Sequence, residues 1–304
     1  MSLWNHYYTP ATVEEALALL RTYKGRARVI AGGTDLLLDI KQGHLPRPEA
    51  LVDITRIPGM DELRQEDDTV YLGAGVTHAQ IVDSPVLAAR ATCLVESCGV
   101  VGGPQVRNVG TIGGNVAHAL PAGDGTTSLI ALDATADVVL EGVRQWLPLR
   151  DLFVGPGESR LDQTRDLLIG FRFRLCGSHE GSAFKRIMRP QGVALPILGC
   201  AVWVRLDESG EHYADARICI GPVAKVPTRA EAVEETLRGQ PVGAETVERA
   251  VTVARQTLQP RTSKYRATAE YRQEMIEVLL RRVLPLAAQR ARTGEAIPEG
   301  VGME

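Results

Sequence analysis

Two glycine pairs, each set between apolar residues and a short polar side chain, are the features best suited to chemistry: "IAGGTD" at 30–35 and "TIGGN" at 111–115. In the second, β-branched Thr111 and Ile112 favour extended backbone, and Gly113 and Gly114 then remove every Cβ for two residues. A glycine pair lets backbone N–H groups approach a phosphate, and a helix beginning just after it adds a favourable dipole. Two such loops suit a diphosphate held between them; either pair alone is also an ordinary tight turn. The common phosphate signatures are missing, because no G-x-x-x-x-G-K-[ST] occurs and "GAGVTH" at 73–78 has His78 where the third glycine of G-x-G-x-x-G belongs.

Other reactive residue types are scattered. Five cysteines, at 93, 98, 176, 200 and 219, have no disulfide-like rhythm and fit a reducing compartment. Cys93 and Cys98 form a C-x4-C pair without a second pair, so they read as small packing residues, not cluster ligands. None of the six histidines pairs with another at helical ligand spacing. No residue stands out as a catalytic acid, base or nucleophile. A net charge of -3 offers no basic field to a nucleic acid. The N-terminus lacks a secretory pattern and no run of about 18 apolar residues occurs, so a cytoplasmic protein without a membrane span is expected.

The elements that must position the two loops are mixed. At 304 residues the chain has length for about two domains. Thr12 and Glu15 have capping-box spacing, and Val13, Ala16, Leu17 and Leu20 mark one face of a helix ending near Gly25. "ARVIAGG" predicts a short strand, "TDLLLDIKQG" a short helix capped by Thr34 or Asp35, and "ALVDIT" and "TVYLGAGV" further strands. "THAQIVDSPVLAARATCLVESC" predicts helical segments broken at Ser-Pro, and the glycine-rich stretch from 100 to 142 a loop-rich ligand wall. Strands are expected near 136–141 and 166–174. A boundary falls in "CGSHEGSAF" at about 176. Beyond it, alternation in "LGCAVWVRLDESGEHYADARICIG" predicts an antiparallel hairpin, then helices at about 229–238, 244–257 and 268–291 and a frayed polar tail at 292–304.

Several of these strings, in this order, resemble the flavoprotein (medium) subunit of molybdenum hydroxylases, the family of carbon monoxide dehydrogenase and the flavin domain of xanthine dehydrogenase. They are "AGGTDLL" at 31–37, "PQVRN" at 104–108, "TIGGN", "AHALPAGD" at 117–124, "AFKRIMRPQGVALPI" at 183–197 and "AEYRQEMIEVLLRRVL" at 269–284, nearly the whole chain. The resemblance implies an α+β protein: a two-part FAD-binding domain of the vanillyl-alcohol-oxidase-like kind at 1–176, split near 55–60, and a C-terminal domain at 177–291 with an antiparallel sheet and helices. It implies noncovalent FAD. Electrons would come from [2Fe-2S] clusters on a small partner subunit, fed by molybdopterin on a large one, and would leave to NAD, oxygen or another acceptor. The assembly implied is a heterotrimer able to pair again.

By the same resemblance, Val29, Ile30, Ala31, Gly32, Gly33, Thr34 and Asp35 form the first FAD loop, and Thr111, Gly113, Gly114 and Asn115 the second. The glycines would admit the diphosphate while Thr111 and Asn115 hydrogen-bond to it. Asp124 would hold a sugar hydroxyl, an ionised carboxylate being an acceptor. Leu168 and Lys185 would line the isoalloxazine, with Lys185 offering positive charge to the reduced ring. Val101 stands where relatives carry a larger side chain against the ring. Relatives with an extra four-cysteine cluster are disfavoured, since no such insertion occurs. Two other readings stay open: a self-sufficient flavoenzyme of this fold, and a scaffold subunit without FAD.

Overall fold

The computed structural model describes residues 3–189, 195–264 and 266–300. It opens with β1 (His6–Tyr8), α1 (Val13–Tyr23), β2 (Ala27–Ile30), α2 (Leu36–Gln42) and β3 (Ala50–Asp53), in which three parallel strands order β1-β3-β2. Thr12 caps α1 by accepting from the Glu15 N–H at 3.1 Å, Lys24 ends it in a left-handed conformation, and Ala16, Leu17 and Leu20 are its buried face.

A second layer begins with β4 (Leu63–Glu66) and β5 (Thr69–Gly73). Helices follow: α3 (His78–Val82), α4 (Pro85–Arg90), α5 (Thr92–Gly99), α6 (Pro104–Arg107), α7 (Ile112–Ala117) and α8 (Asp124–Ala131). Then come β6 (Thr135–Leu140), β7 (Val143–Pro148), the small pair β8 (Phe153–Gly155) and β9 (Glu158–Ser159), and β10 (Leu167–Arg174), closing an antiparallel sheet ordered β4-β5-β10-β6-β7. The stretch from 100 to the strand expected near 136–141, read as loop-rich, holds three short helices, and β6 follows as expected. Its helices are too short for a 3.6-residue period to be visible.

The remainder comprises β11 (Glu180–Met188), β12 (Pro196–Leu206), β13 (Tyr213–Gly221), β14 (Thr228–Arg229), α9 (Glu231–Leu237), α10 (Ala244–Thr257) and α11 (Ala269–Thr293). The β12–β13 hairpin forms as expected, but β12 does not alternate apolar with polar, because its sheet is covered on both sides. Phe184, Ala201, Trp203 and Cys219 join the core of the first half, whereas Ala183, Cys200, Val202 and Ile218 belong to a second core with α9, α10 and α11. All five cysteines are buried and unpaired, within these cores or at their edges.

The fully buried helix α5 lies between the halves and carries a buried carboxylate, Glu96. Glu96 Oε1 accepts from Arg290 Nη2 of α11 at 2.7 Å, and Oε2 accepts from the Phe184 N–H at 2.7 Å. Beyond α11, the Ile297 carbonyl accepts from Arg290 at 2.6 Å and the Glu299 N–H donates to Glu96 at 2.9 Å. The segment expected to fray is therefore hydrogen-bonded into the fold as far as Glu299, because a buried ion pair still had acceptor and donor capacity to share with it.

Candidate functional site

Where these layers meet, a cleft of about 570 Å³ opens, within the range of cofactor sites. Val29 through Asp35, Val101, Thr111, Gly113, Gly114, Asn115, Asp124 and Leu168 all line it, so residues spread over 140 positions of sequence converge. On one side β2 runs into the first glycine turn, anchored by the Val29 N–H donating to the Gln163 carbonyl at 3.1 Å. The N–H groups of Gly33, Thr34 and Asp35 find no acceptor among the described residues. Asp35 stands at the N-cap of α2 but makes no side-chain cap bond. Three consecutive free donors ahead of a helix form a cradle for an anion.

The second glycine turn is built differently. The Ile112 N–H donates to the Val76 carbonyl, Gly113 to Ala74, Gly114 to Thr111 Oγ1 and Asn115 to the Thr111 carbonyl, so the start of α7 keeps no free N–H across those four residues. What it offers are side chains. Asn115 Oδ1 accepts from the Thr126 N–H at 3.1 Å and Thr126 Oγ1 at 3.0 Å, which tethers the first turn of α8 and leaves the amide nitrogen to donate. That first turn presents Asp124, 5 % exposed.

The roles expected of the glycines need correction. A Cβ on Gly32 would stand 2.0 Å from the Val109 carbonyl oxygen, and one on Gly113 would stand 2.4 Å from that of Ala74. Both are glycine because backbone packs against backbone, not to make room for a ligand. Gly33 takes φ +68°, which a side chain rarely adopts, and a Cβ there would meet only the Ile30 and Leu37 side chains; exposed Gly114 likewise keeps its Cβ position clear of backbone, nearest to Thr111 Oγ1 at 3.1 Å.

Lys185 is not in the cleft. Successive side chains on a strand face opposite ways, so Lys185 shares the Ala183 face of β11 while Arg186 shares the Phe184 face. Lys185 Nζ meets Glu299 Oε2 at 2.5 Å, and Arg186 lines the cleft in its place, donating to Asp124 Oδ2 at 2.6 Å, with its buried Nε unpartnered among the described residues. Burial pushes the Asp124 carboxyl up to about 6, against the pull of Arg186 and of Arg266. His78, which in the sequence only interrupts a G-x-G-x-x-G pattern, also lines the cleft. Burial, aided by the Arg107 charge, holds it down at about 4 and so neutral, and its buried Nδ1 has no partner among the described residues. Its signal was the capping box Thr77-x-x-Gln80, which sets His78 at the first position of α3. His118 lies between Asp35 and Asp39, 3.7 and 3.8 Å away. Part of the string at 183–197 falls outside the described residues.

The free donors, the buried carboxylate paired with arginine, and the apolar wall of Val101 and Leu168 fit a dinucleotide with a planar ring system. Residues 3–173 match the family model for the FAD binding domain in molybdopterin dehydrogenase. The chain belongs to that flavoprotein family. Residues 182–287 of the flavoprotein match the CO dehydrogenase flavoprotein C-terminal domain. It is similar to the nicotinate dehydrogenase FAD-subunit of Eubacterium barkeri, 31% identical, with 91% of this chain and 94% of that one covered. It is also similar to the carbon monoxide dehydrogenase medium chain of Hydrogenophaga pseudoflava, 33% identical over 93% and 97% of the two chains. The solved carbon monoxide dehydrogenase from that organism superposes with a TM-score of 0.86 at 31% identity, covering 94% of this chain and 97% of that one. The flavoprotein is thus an α+β oxidoreductase subunit, and no described helix is long and apolar enough to cross a membrane.

Proposed function

We propose that this chain is the electron-transfer subunit of a three-part molybdenum hydroxylase, holding FAD noncovalently in the cleft. The convergence of both glycine turns, Asp124 and Arg186 on one cavity carries this reading. The N–H groups of Gly33, Thr34 and Asp35 would hold the diphosphate, joined by the amide nitrogen of Asn115. Asp124, kept in place by Arg186, would accept from a sugar hydroxyl, and Val101 and Leu168 would exclude water from the ring. When bound there, FAD would supply the redox chemistry between iron–sulfur clusters of a small partner and NAD, oxygen or another acceptor. Hydroxylation itself belongs to a large molybdopterin subunit, and assembly is as a heterotrimer that pairs again.

Among the described residues no acid–base constellation is assigned to substrate turnover, which favours electron transfer over a self-sufficient oxidase. Acid precipitation of the purified chain should release all its flavin, and the chain alone should not oxidise purines, aldehydes or aromatic heterocycles with an artificial acceptor. Flavin retained in the pellet would overturn noncovalent binding. Robust substrate oxidation by the isolated chain would overturn the subunit role, and a colourless chain that refuses added FAD would favour a scaffold.

A further inference from the structure

We propose that the C-terminal domain carries a second small-molecule site, for a monocarboxylate with an apolar body, in the cavity between α10 and α11. This cavity, about 610 Å³, lies on the face of the four-stranded sheet opposite the flavin cleft. Most of its wall is apolar, from Val242, Val247, Pro285 and Ala288. One polar end is incomplete.

Tyr213 lines the cavity and is fully buried, yet its hydroxyl has no hydrogen-bond partner among the described residues. A buried hydroxyl without a partner is destabilising, so such groups are rare unless a ligand or water completes them. Arg292 lies within electrostatic reach of that hydroxyl and lines the same cavity. Its Nε and Nη2 donate to the Gly210 carbonyl at 3.1 and 3.0 Å, which leaves Nη1. The third element is the start of α10, a helix of 14 residues, where N-cap Gly243 has no side chain to offer and the first-turn N–H groups of Ala244, Glu245 and Thr246 find no acceptor among the described residues.

The charges at this end decide the ligand class. Glu248 is held by both oxygens to Arg281, at 2.7 and 2.8 Å, and Glu245 turns outward to Arg249. Besides the neutral Gln289 and Thr293 side chains, what remains is an uncapped helix start, a hydroxyl and one guanidinium edge, which together suit one negative charge. A carboxylate matches that end, and an alkyl or aryl body matches the wall. Water would complete the hydroxyl but leave the charge unanswered.

The test uses the full-length, FAD-loaded chain in calorimetric titrations with hexanoate, benzoate, hexanamide and inorganic phosphate. Hexanoate or benzoate should bind saturably at one per chain without altering the flavin spectrum, with hexanamide and phosphate at least roughly tenfold weaker. Tyr213→Phe should weaken binding about fivefold without lowering Tm, since the lost hydroxyl had no partner to leave behind. A Cβ at Gly243 meets nothing within 4 Å and its φ of -174° is ordinary extended backbone. Gly243→Asp should therefore cap α10, raise Tm and weaken carboxylate binding by roughly tenfold or more. Absence of saturable carboxylate binding would overturn the proposal, as would binding unchanged in both variants, phosphate equalling hexanoate, a flavin spectral change that tracks the titration, or a Tm loss in Tyr213→Phe.

Discussion

The two glycine turns face each other across one cleft and read alike in sequence, but they contribute different things. The first presents backbone: Gly33, Thr34 and Asp35 keep free N–H groups. The second has already committed the N–H groups at the start of α7 and presents side chains through Asn115 and neighbouring Asp124. In each pair the leading glycine, Gly32 or Gly113, serves backbone packing, and only the trailing one differs in purpose. A pair of glycines is thus two separate constraints. Substitution should separate them.

The largest effect is expected where a Cβ would strike backbone. Gly113→Ala should cost about 3 kcal/mol, since the clash is with the backbone of Ala74, just past β5, which cannot yield as a flexible side chain would. Thermal unfolding should show a large loss of Tm, with flavin lost along with the fold. Gly114→Ala should leave Tm nearly unchanged, because the gain in helix propensity offsets pressure on Thr111, yet it should lower flavin occupancy. Equal Tm losses in the two variants would erase the distinction drawn between leading and trailing glycines.

An intermediate effect tests the side-chain half. With its carboxyl raised to about 6, Asp124 is protonated below that pH and ionised above it. Only the ionised form accepts from Arg186 and a flavin hydroxyl together, so flavin affinity should rise as pH increases through about 6 and become flat in Asp124→Asn. Stability of the flavin-free fold moves the other way. The folded state holds this proton more tightly than the unfolded chain, so the Asp124 contribution is full below its ordinary value near 3.8 and is lost as pH rises through about 6. A pH-independent flavin affinity in the parent protein would place the sugar contact elsewhere.

The smallest effect is expected at Lys185. Its half-exposed partner Glu299 makes the pair worth at most about 1 kcal/mol. Lys185→Ala should keep flavin occupancy and spectrum, whereas Arg186→Met should reduce occupancy, and a reversed order would mean that β11 presents the other face to the cleft.

Much of this was legible before any coordinates. Caps such as Thr12 act within one turn, so α1 could be bounded from local residues, and fourteen residues named from the glycine strings and the family resemblance line one cleft. Lys185 is expected in the cleft and Arg186 is overlooked because strand parity needs a register, and "AFKRIM" is too apolar for either face to declare itself. Gly32 and Gly113 were misread for a related reason: the atoms that forbid their Cβ belong to Val109 and Ala74, far off in sequence or on another element. The fate of the last residues depends on Glu96, 203 positions before Glu299.

Two buried ion pairs, Asp124 with Arg186 and Glu96 with Arg290, each have one member in the segment 3–173 and the other in 182–287 or just beyond it. The halves are therefore not interchangeable parts. A chimera joining the front of this chain to the back of a relative would have to import arginines at both places, and one that lacked either would bury an unanswered carboxylate, at a cost of about 3–5 kcal/mol. Recombination within such a lineage would be constrained less by the linker near 176 than by these two distant couples, which descend together or not at all.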